Sequence, residues 1–192
     1  MEALRRLKGR ILEKRRRSTF AGVPVFSRAS IKWFWAFLRY KKQLVFLRIE
    51  GGSDLVASHF STWSNSSHPS FLNFMNIMKL LPENPTIVES GTSAWGMESS
   101  RLFDSWVAKN GGLFFSIDIR REASAWLIKQ HSDRTRFFVS DSVYFFNSEL
   151  KKVLGENRID LLYLDSLDLD LSHPIACAKH CLQEFINAKD LL

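Results

Sequence analysis

The sequence predicts an α/β fold in which a doubly wound, mostly parallel sheet follows a basic, partly helical N-terminal extension. Two observations carry this. From Thr86 onward, short apolar runs alternate with stretches of helical periodicity, and the runs are apolar on both faces, as strands covered by helices on both sides must be. The charge is also partitioned. Residues 1–50 hold 14 Lys and Arg against 3 Asp and Glu, while the remaining 142 residues hold 13 against 17. The basic balance therefore belongs to the extension. At 192 residues the chain is long enough for one domain with a sizeable core and short for two.

Three segments are expected: a basic and aromatic extension over residues 1–57, a Ser-rich linker or lid over 58–70, and the α/β domain over 71–192. Residues 1–19 carry Arg5, Arg6, Lys8, Arg10 and the run Lys14–Arg17, with Leu4, Leu7, Ile11 and Leu12 at helical spacing. An amphipathic basic helix there could touch nucleic acid or an anionic membrane surface, or be a solvated tail. The apolar run Ile31–Leu38 is far short of the roughly 18 residues needed to span a bilayer and contains Lys32. It lacks the longer apolar stretch and small-residue cleavage site of a signal peptide. Gln43–Ile49 reads as an isolated strand ending at Gly51-Gly52. Residues 58–70, rich in Ser with Thr62, Asn65 and Pro69, are turn-forming in composition. Phe71–Leu81 is expected to be a helix that buries Phe71, Phe74, Met75 and Met78 and stops at Pro82.

In the α/β domain the expected strands are Thr86–Glu89, Leu113–Asp118, Arg136–Ser140 and Ile159–Asp165. Helices are expected near 97–108, 121–131 and 146–154, and from Pro174 to Asn187. Right-handed crossovers limit these elements to a Rossmann-like sheet with its strands in the order 3-2-1-4. In a parallel sheet all carboxyl ends lie on one edge, and here they are acidic: Glu89, Asp118 and Asp165 end three strands and Asp141 follows the other. Four carboxylates are thus expected around one crevice.

The loop after the first strand, Glu89-Ser-Gly-Thr-Ser-Ala-Trp-Gly96, has Ser93 where a dinucleotide fingerprint has its second Gly. Glu89 would repel a pyrophosphate and suits a ligand bearing an ammonium or sulfonium group. A buried carboxylate costs several kcal/mol unless paired, and such a ligand would supply the pairing. Together these features disfavour NAD and favour S-adenosylmethionine. Asp118, about one β-loop-helix-β unit after Gly91, is suited to accept from two ribose hydroxyls. Asp141, beside Ser142, could accept from an adenine amine or cap a helix.

Glu89–Gly96, Ser116-Ile-Asp-Ile119, Val139-Ser-Asp-Ser142 and Ile159-Asp-Leu-Leu-Tyr-Leu-Asp-Ser166 resemble, in order and spacing, the successive motifs of class I S-adenosylmethionine-dependent methyltransferases. The likeness covers about residues 70–192. It implies that Glu89, Gly91, Thr92, Ser93 and Gly96 hold the methionine end of the cofactor, that Asp118 binds the ribose and that Asp141 and Ser142 flank the adenine. Asp165 would then stand beside the transferred methyl, and the acceptor would be an oxygen, or a nitrogen, of a small molecule or glycan. Ser93 departs from the family's more frequent glycine.

His173 could act as a base near the substrate or simply start the last helix exposed. Asp165, Asp168 and Asp170 raise the option of Mg²⁺, but the spacing is not that of a calcium loop, and the family's metal ligands beyond a fifth strand have no counterpart, so no metal ligands are assigned. Cys177, His180 and Cys181 share a helix and are expected to pack or face solvent. Two cysteines are too few for a disulfide framework, which points to a reducing, cytoplasmic setting. The family's sheet has seven strands against four here, so a fragment, or a domain completed at its open edge by another chain, is expected. Pairing of Gln43–Ile49 with the fourth strand would remove that expectation. A methyltransferase-like module without catalysis, using the basic extension to bind RNA or membrane, is the competing function.

Overall fold

The computed structural model describes residues 55–64, 67–92, 98–121, 127, 131–167 and 172–192, and two short strands before them. The chain divides into two compact units, 1–51 and 52–192. In the first, Thr19–Phe20 pairs antiparallel with Val23–Pro24. All but the last residue of the basic helix expected in residues 1–19, Ile31–Leu38, Gln43–Ile49, Ser93, Gly96, Asp168, Asp170 and nearly all of the helix expected over 121–131 lie outside the described residues.

The second unit contains a four-stranded sheet of β1 (Thr86–Ser90), β2 (Leu113–Asp118), β3 (Thr135–Val139) and β4 (Leu161–Leu164). All neighbours are parallel, and the order is β3-β2-β1-β4. The sequence's α/β, Rossmann-like arrangement is therefore the observed one. The helices are α1 (Leu55–Trp63), α2 (Phe71–Leu80), α3 (Ser99–Asn110), α4 (Ser142–Ser148), α5 (Leu150–Leu154) and α6 (Pro174–Ala188), the last followed by a 3₁₀ turn at Lys189–Leu191.

Strand alternation sends side chains to two separate layers. On one face Val88, Phe115 and Ile117 pack with Phe145, Phe146, Leu150, Leu154 and Ala188 from α4, α5 and α6. On the other, Phe114 meets Phe103 of α3 at a ring-centroid distance of 5.5 Å, and Phe103 stacks on Phe74 of α2. Phe74 also reaches Phe60 of α1, which is fully buried.

Three of the boundaries that differ from the sequence expectation do so for a local reason. Residues 58–63, expected in the Ser-rich linker, complete α1, because Leu55, Val56, His59 and Phe60 form a buried face that outweighs the serines' turn preference. The helix expected from residue 146 starts at Ser142, where the Asp141 side chain accepts the Tyr144 N–H at 2.8 Å and caps the first turn. The fourth strand is shorter than Ile159–Asp165. Asp160 instead brackets the start of β1, accepting from the Thr86 N–H through its side chain at 2.8 Å while its own N–H donates to the Thr86 carbonyl at 2.9 Å.

Among the described residues β4 has a strand partner only on its β1 side. Beside it, α6 leaves Ile175, Leu182, Phe185 and Ile186 substantially exposed.

Candidate functional site

The connection from β1 leads to β2 on one side and that from β3 returns to β4 on the other, with α3 and α4–α5 on opposite faces. The switch point is thus the gap between β1 and β4 at their carboxyl ends, where open α/β sheets bind ligands. Pairing aligns two rows of side chains on the α3 face there. The inner row is Tyr163, Glu89 and Ser116, set by the registers Glu89↔Tyr163 and Glu89↔Ser116. One row further out, where each strand ends, stand Asp165, Gly91 and Asp118.

Glu89 is fully buried. Its carboxylate accepts from the Ser99 hydroxyl at 2.6 Å, the Ser100 hydroxyl at 2.5 Å and the Ser116 hydroxyl at 2.7 Å. Ser99 and Ser100 open α3, so the carboxylate also lies against the positive end of that helix. Burial nonetheless outweighs the three hydroxyls and, with a push from the Asp165 charge, raises the Glu89 carboxyl to about 7. Within the chain, three serine hydroxyls are the hydrogen-bond partners of this group.

Thr92, two residues beyond β1, is tied to β2. With Ser116 donating to Glu89, Thr92 Oγ1 donates to Ser116 Oγ at 2.9 Å, and the Thr92 N–H donates to Asp118 Oδ2 at 3.0 Å. Asp118 is 5% exposed. Oδ1 also accepts from the Arg120 N–H at 2.7 Å and from Arg120 Nε at 3.2 Å, while Oδ2 accepts from Arg120 Nη2 at 3.0 Å. The Arg120 side chain itself is 58% exposed.

Asp165 is exposed at the end of β4, its N–H donating to the Ser90 carbonyl at 2.9 Å. The Tyr163 hydroxyl stands 3.5 Å from Asp165 Oδ2. Burial, with the Asp165 and Glu89 charges beside it, holds the Tyr163 phenol well above its ordinary pKa. Its ring packs edge-on to Phe74 and Phe103.

The structure therefore brings Glu89, Gly91, Thr92, Asp118 and Asp165 together. Asp141 and Ser142 lie at the end of β3, but Asp141 caps α4, and Ser142 Oγ is 3.3 Å from His180 Nε2. His180 in turn is 3.3 Å from Glu184 Oε1, which accepts from the Ser166 hydroxyl at 2.6 Å. His180, expected to be packing or surface, thus belongs to a polar cluster that ties α6 to the turns after β3 and β4. His173 is exposed at the start of α6, with Nδ1 2.9 Å from the Ser172 hydroxyl.

Sequence reasoning did not single out Ser99, Ser100, Ser116, Arg120, Tyr163 or Glu184. Ser116 had a signal, a lone hydroxyl inside the apolar run Leu113–Ile117, since a polar group in a buried strand needs a partner. A buried ion pair was also unforeseen. Arg101 Nε donates to Glu98 Oε2 at 2.7 Å, and its guanidinium lies over the Trp63 ring, 4.1 Å from the centroid.

Among the described residues, no group of three or more His, Cys, Asp or Glu side chains could hold a metal ion, and no helix is long and apolar enough to cross a membrane. Comparison with protein-family models, with curated proteins and with solved structures yields no match.

Proposed function

We propose that this chain is a class I methyltransferase-like domain that binds S-adenosylmethionine and directs its methyl group to an oxygen or nitrogen of a small-molecule or glycan acceptor. The observation that carries the reading is the pair of carboxylates, Asp118 and Asp165, on either side of Gly91 at the switch point of a β3-β2-β1-β4 sheet. That donor set is acidic and hydrogen-bond accepting, which suits a ligand with a positively charged sulfur and a vicinal diol and opposes a pyrophosphate. When bound, S-adenosylmethionine supplies an activated methyl group for direct displacement by the acceptor.

The chain's own residues would position and deprotonate. Asp118, held by two backbone N–H groups, is placed for the ribose. Asp165, exposed and beside the Tyr163 hydroxyl, is placed to orient the acceptor and take its proton, and its charge would favour the sulfonium over the neutral product. Glu89 keeps the loop and α3 in register, acting through Ser99, Ser100 and Ser116. Most of the rate gain in such a site comes from alignment of the reacting atoms.

Calorimetric titration with S-adenosylmethionine, S-adenosylhomocysteine and NAD tests this. Binding of the first two in preference to NAD, weakened about tenfold or more by Asp118→Asn, with thermal unfolding verifying that the variant is folded at the titration temperature, is the expected result. An absence of binding by either sulfur compound removes the reading.

One observation favours a second reading, a module that keeps the fold without transferring methyl groups: Glu89 and Asp118 are already satisfied within the chain. It predicts no nucleoside binding, and salt-sensitive RNA or vesicle binding that is lost on deleting residues 1–19.

A further inference from the structure

We infer that Arg120 is a ligand-displaced latch on Asp118, and that a nucleoside's vicinal diol binds by taking the place of its guanidinium. This rests on the nucleoside-binding reading above and adds a residue that it does not require.

The geometry lies in how the four bonds to Asp118 divide. Each oxygen accepts one backbone donor: the Arg120 N–H on Oδ1 at 2.7 Å and the Thr92 N–H on Oδ2 at 3.0 Å. Each also accepts one side-chain donor, Arg120 Nε on Oδ1 at 3.2 Å and Nη2 on Oδ2 at 3.0 Å. The two classes of bond have different permanence. The backbone donors belong to the turns that follow β1 and β2, so they hold the carboxylate's orientation whether or not the guanidinium is present. The guanidinium is 58% exposed on a flexible stem, whereas Asp118 is 5% exposed. Withdrawal of Arg120 therefore takes from Asp118 a guanidinium that is already largely exposed, while the two backbone donors keep the carboxylate in place.

Withdrawal of Arg120 opens one acceptor position on each oxygen, side by side. A carboxylate fixed by one backbone bond per oxygen, with one further lone pair offered by each, is matched by two adjacent hydroxyls. The fork of Arg120 and a cis diol make the same two-point contact, so they compete for it. The diol must then displace a partly exposed ion pair, a type of contact with a net worth of about 0.2–1 kcal/mol, equivalent to a factor of about 1.4–5 in affinity.

The experiment uses the full chain, wild type and Arg120→Ala, with Arg120→Gln as a second variant that keeps a polar stem. Each is titrated calorimetrically with S-adenosylhomocysteine, adenosine and 2′,3′-dideoxyadenosine, and thermal unfolding verifies that the fold is retained. Both variants are expected to bind S-adenosylhomocysteine and adenosine about two- to fivefold more tightly than wild type, with no gain for the dideoxynucleoside. Unchanged or weakened binding of the diol-bearing ligands overturns the latch and leaves the nucleoside reading standing. An equal gain for the dideoxynucleoside also overturns it, because the effect then does not pass through the diol. If no ligand binds any of the three proteins, the nucleoside reading and the latch fall together.

Discussion

Gly91 crosses Asp165 backbone to backbone: a β-carbon built on Gly91 would lie 2.1 Å from the Asp165 carbonyl oxygen and 2.5 Å from its carbonyl carbon. Gly91 also sits at φ +82, where side chains are strained. The turn that leaves β1 is therefore locked onto the end of β4, and the spacing of Asp118 and Asp165 depends on that contact. Gly91→Ala should lower stability by roughly 2–5 kcal/mol, combining left-handed strain with a backbone collision. Gly155, at φ +62 with nothing within 4 Å of its added carbon, separates the two effects. Gly155→Ala should show the backbone cost alone, about 1–3 kcal/mol, since φ +62 with ψ −120 is a conformation that L side chains rarely adopt. Equal losses in urea unfolding would remove the collision from the account.

Glu89 makes stability depend on pH in a definite direction. Its folded-state pKa of about 7 exceeds the ordinary 4.5, so between these values the folded chain binds more protons than the unfolded one. The contribution is complete below about pH 4.5 and is lost as pH rises through 7, with a magnitude on the order of 3 kcal/mol. Glu89→Gln removes this dependence. The difference in unfolding free energy between wild type and Glu89→Gln should shift in favour of the variant between pH 5 and pH 8. Parallel profiles for the two proteins would show that Glu89 titrates normally.

The sheet was legible because strands such as Leu113–Ile117 are apolar on both faces but for Ser116, and the meeting of their acidic ends on one edge follows from parallel pairing. Local capping was less so. Asp141 had two readings in sequence, and only the direction of its side chain, toward the Tyr144 N–H, shows which one the backbone adopts. The partners of Glu89 were hidden because Ser99 and Ser100 are ten and eleven residues away and Ser116 is on another strand, contacts set by register and helix placement. Glu184 looked like any surface acid of an amphipathic helix. Its burial to 1% depends on how α6 docks, which no local pattern encodes.

That docking should be measurable at Glu184. One oxygen, Oε1, receives the Ser166 hydroxyl at 2.6 Å and stands 3.3 Å from His180 Nε2. Glu184→Ala leaves the Ser166 hydroxyl and His180 without that acceptor and should destabilise by about 1–3 kcal/mol, whereas Glu184→Gln retains an acceptor oxygen and should lose less. Combining Ser166→Ala with Glu184→Ala should give a loss smaller than the sum of the two by on the order of 1 kcal/mol. Strict additivity in denaturant unfolding would mean that the two side chains do not interact in solution.

The pair Glu98 and Arg101 offers the sharper electrostatic test, because both partners are enclosed beside the start of α3. The Arg101 side chain is 0% exposed and that of Glu98 10% exposed, and burial raises the Glu98 carboxyl above its ordinary pKa despite the Arg101 charge. Arg101→Ala strips Glu98 of that charge and Trp63 of the guanidinium over its ring, so the loss should be large, about 3–5 kcal/mol near neutral pH. Since the folded-state pKa is raised, the stabilising effect of protonation is fully present below the unfolded value and lost as pH rises through the folded one. The variant should therefore recover part of its deficit at pH 5 relative to pH 8, as the isolated carboxyl takes up a proton. Glu98→Gln combined with Arg101→Met removes both charges and should be markedly more stable than Arg101→Ala alone. Thermal unfolding of the wild type and these two variants at both pH values checks this, and a deficit in Arg101→Ala that does not change with pH would show that packing against Trp63, not the charge pair, is what Arg101 provides.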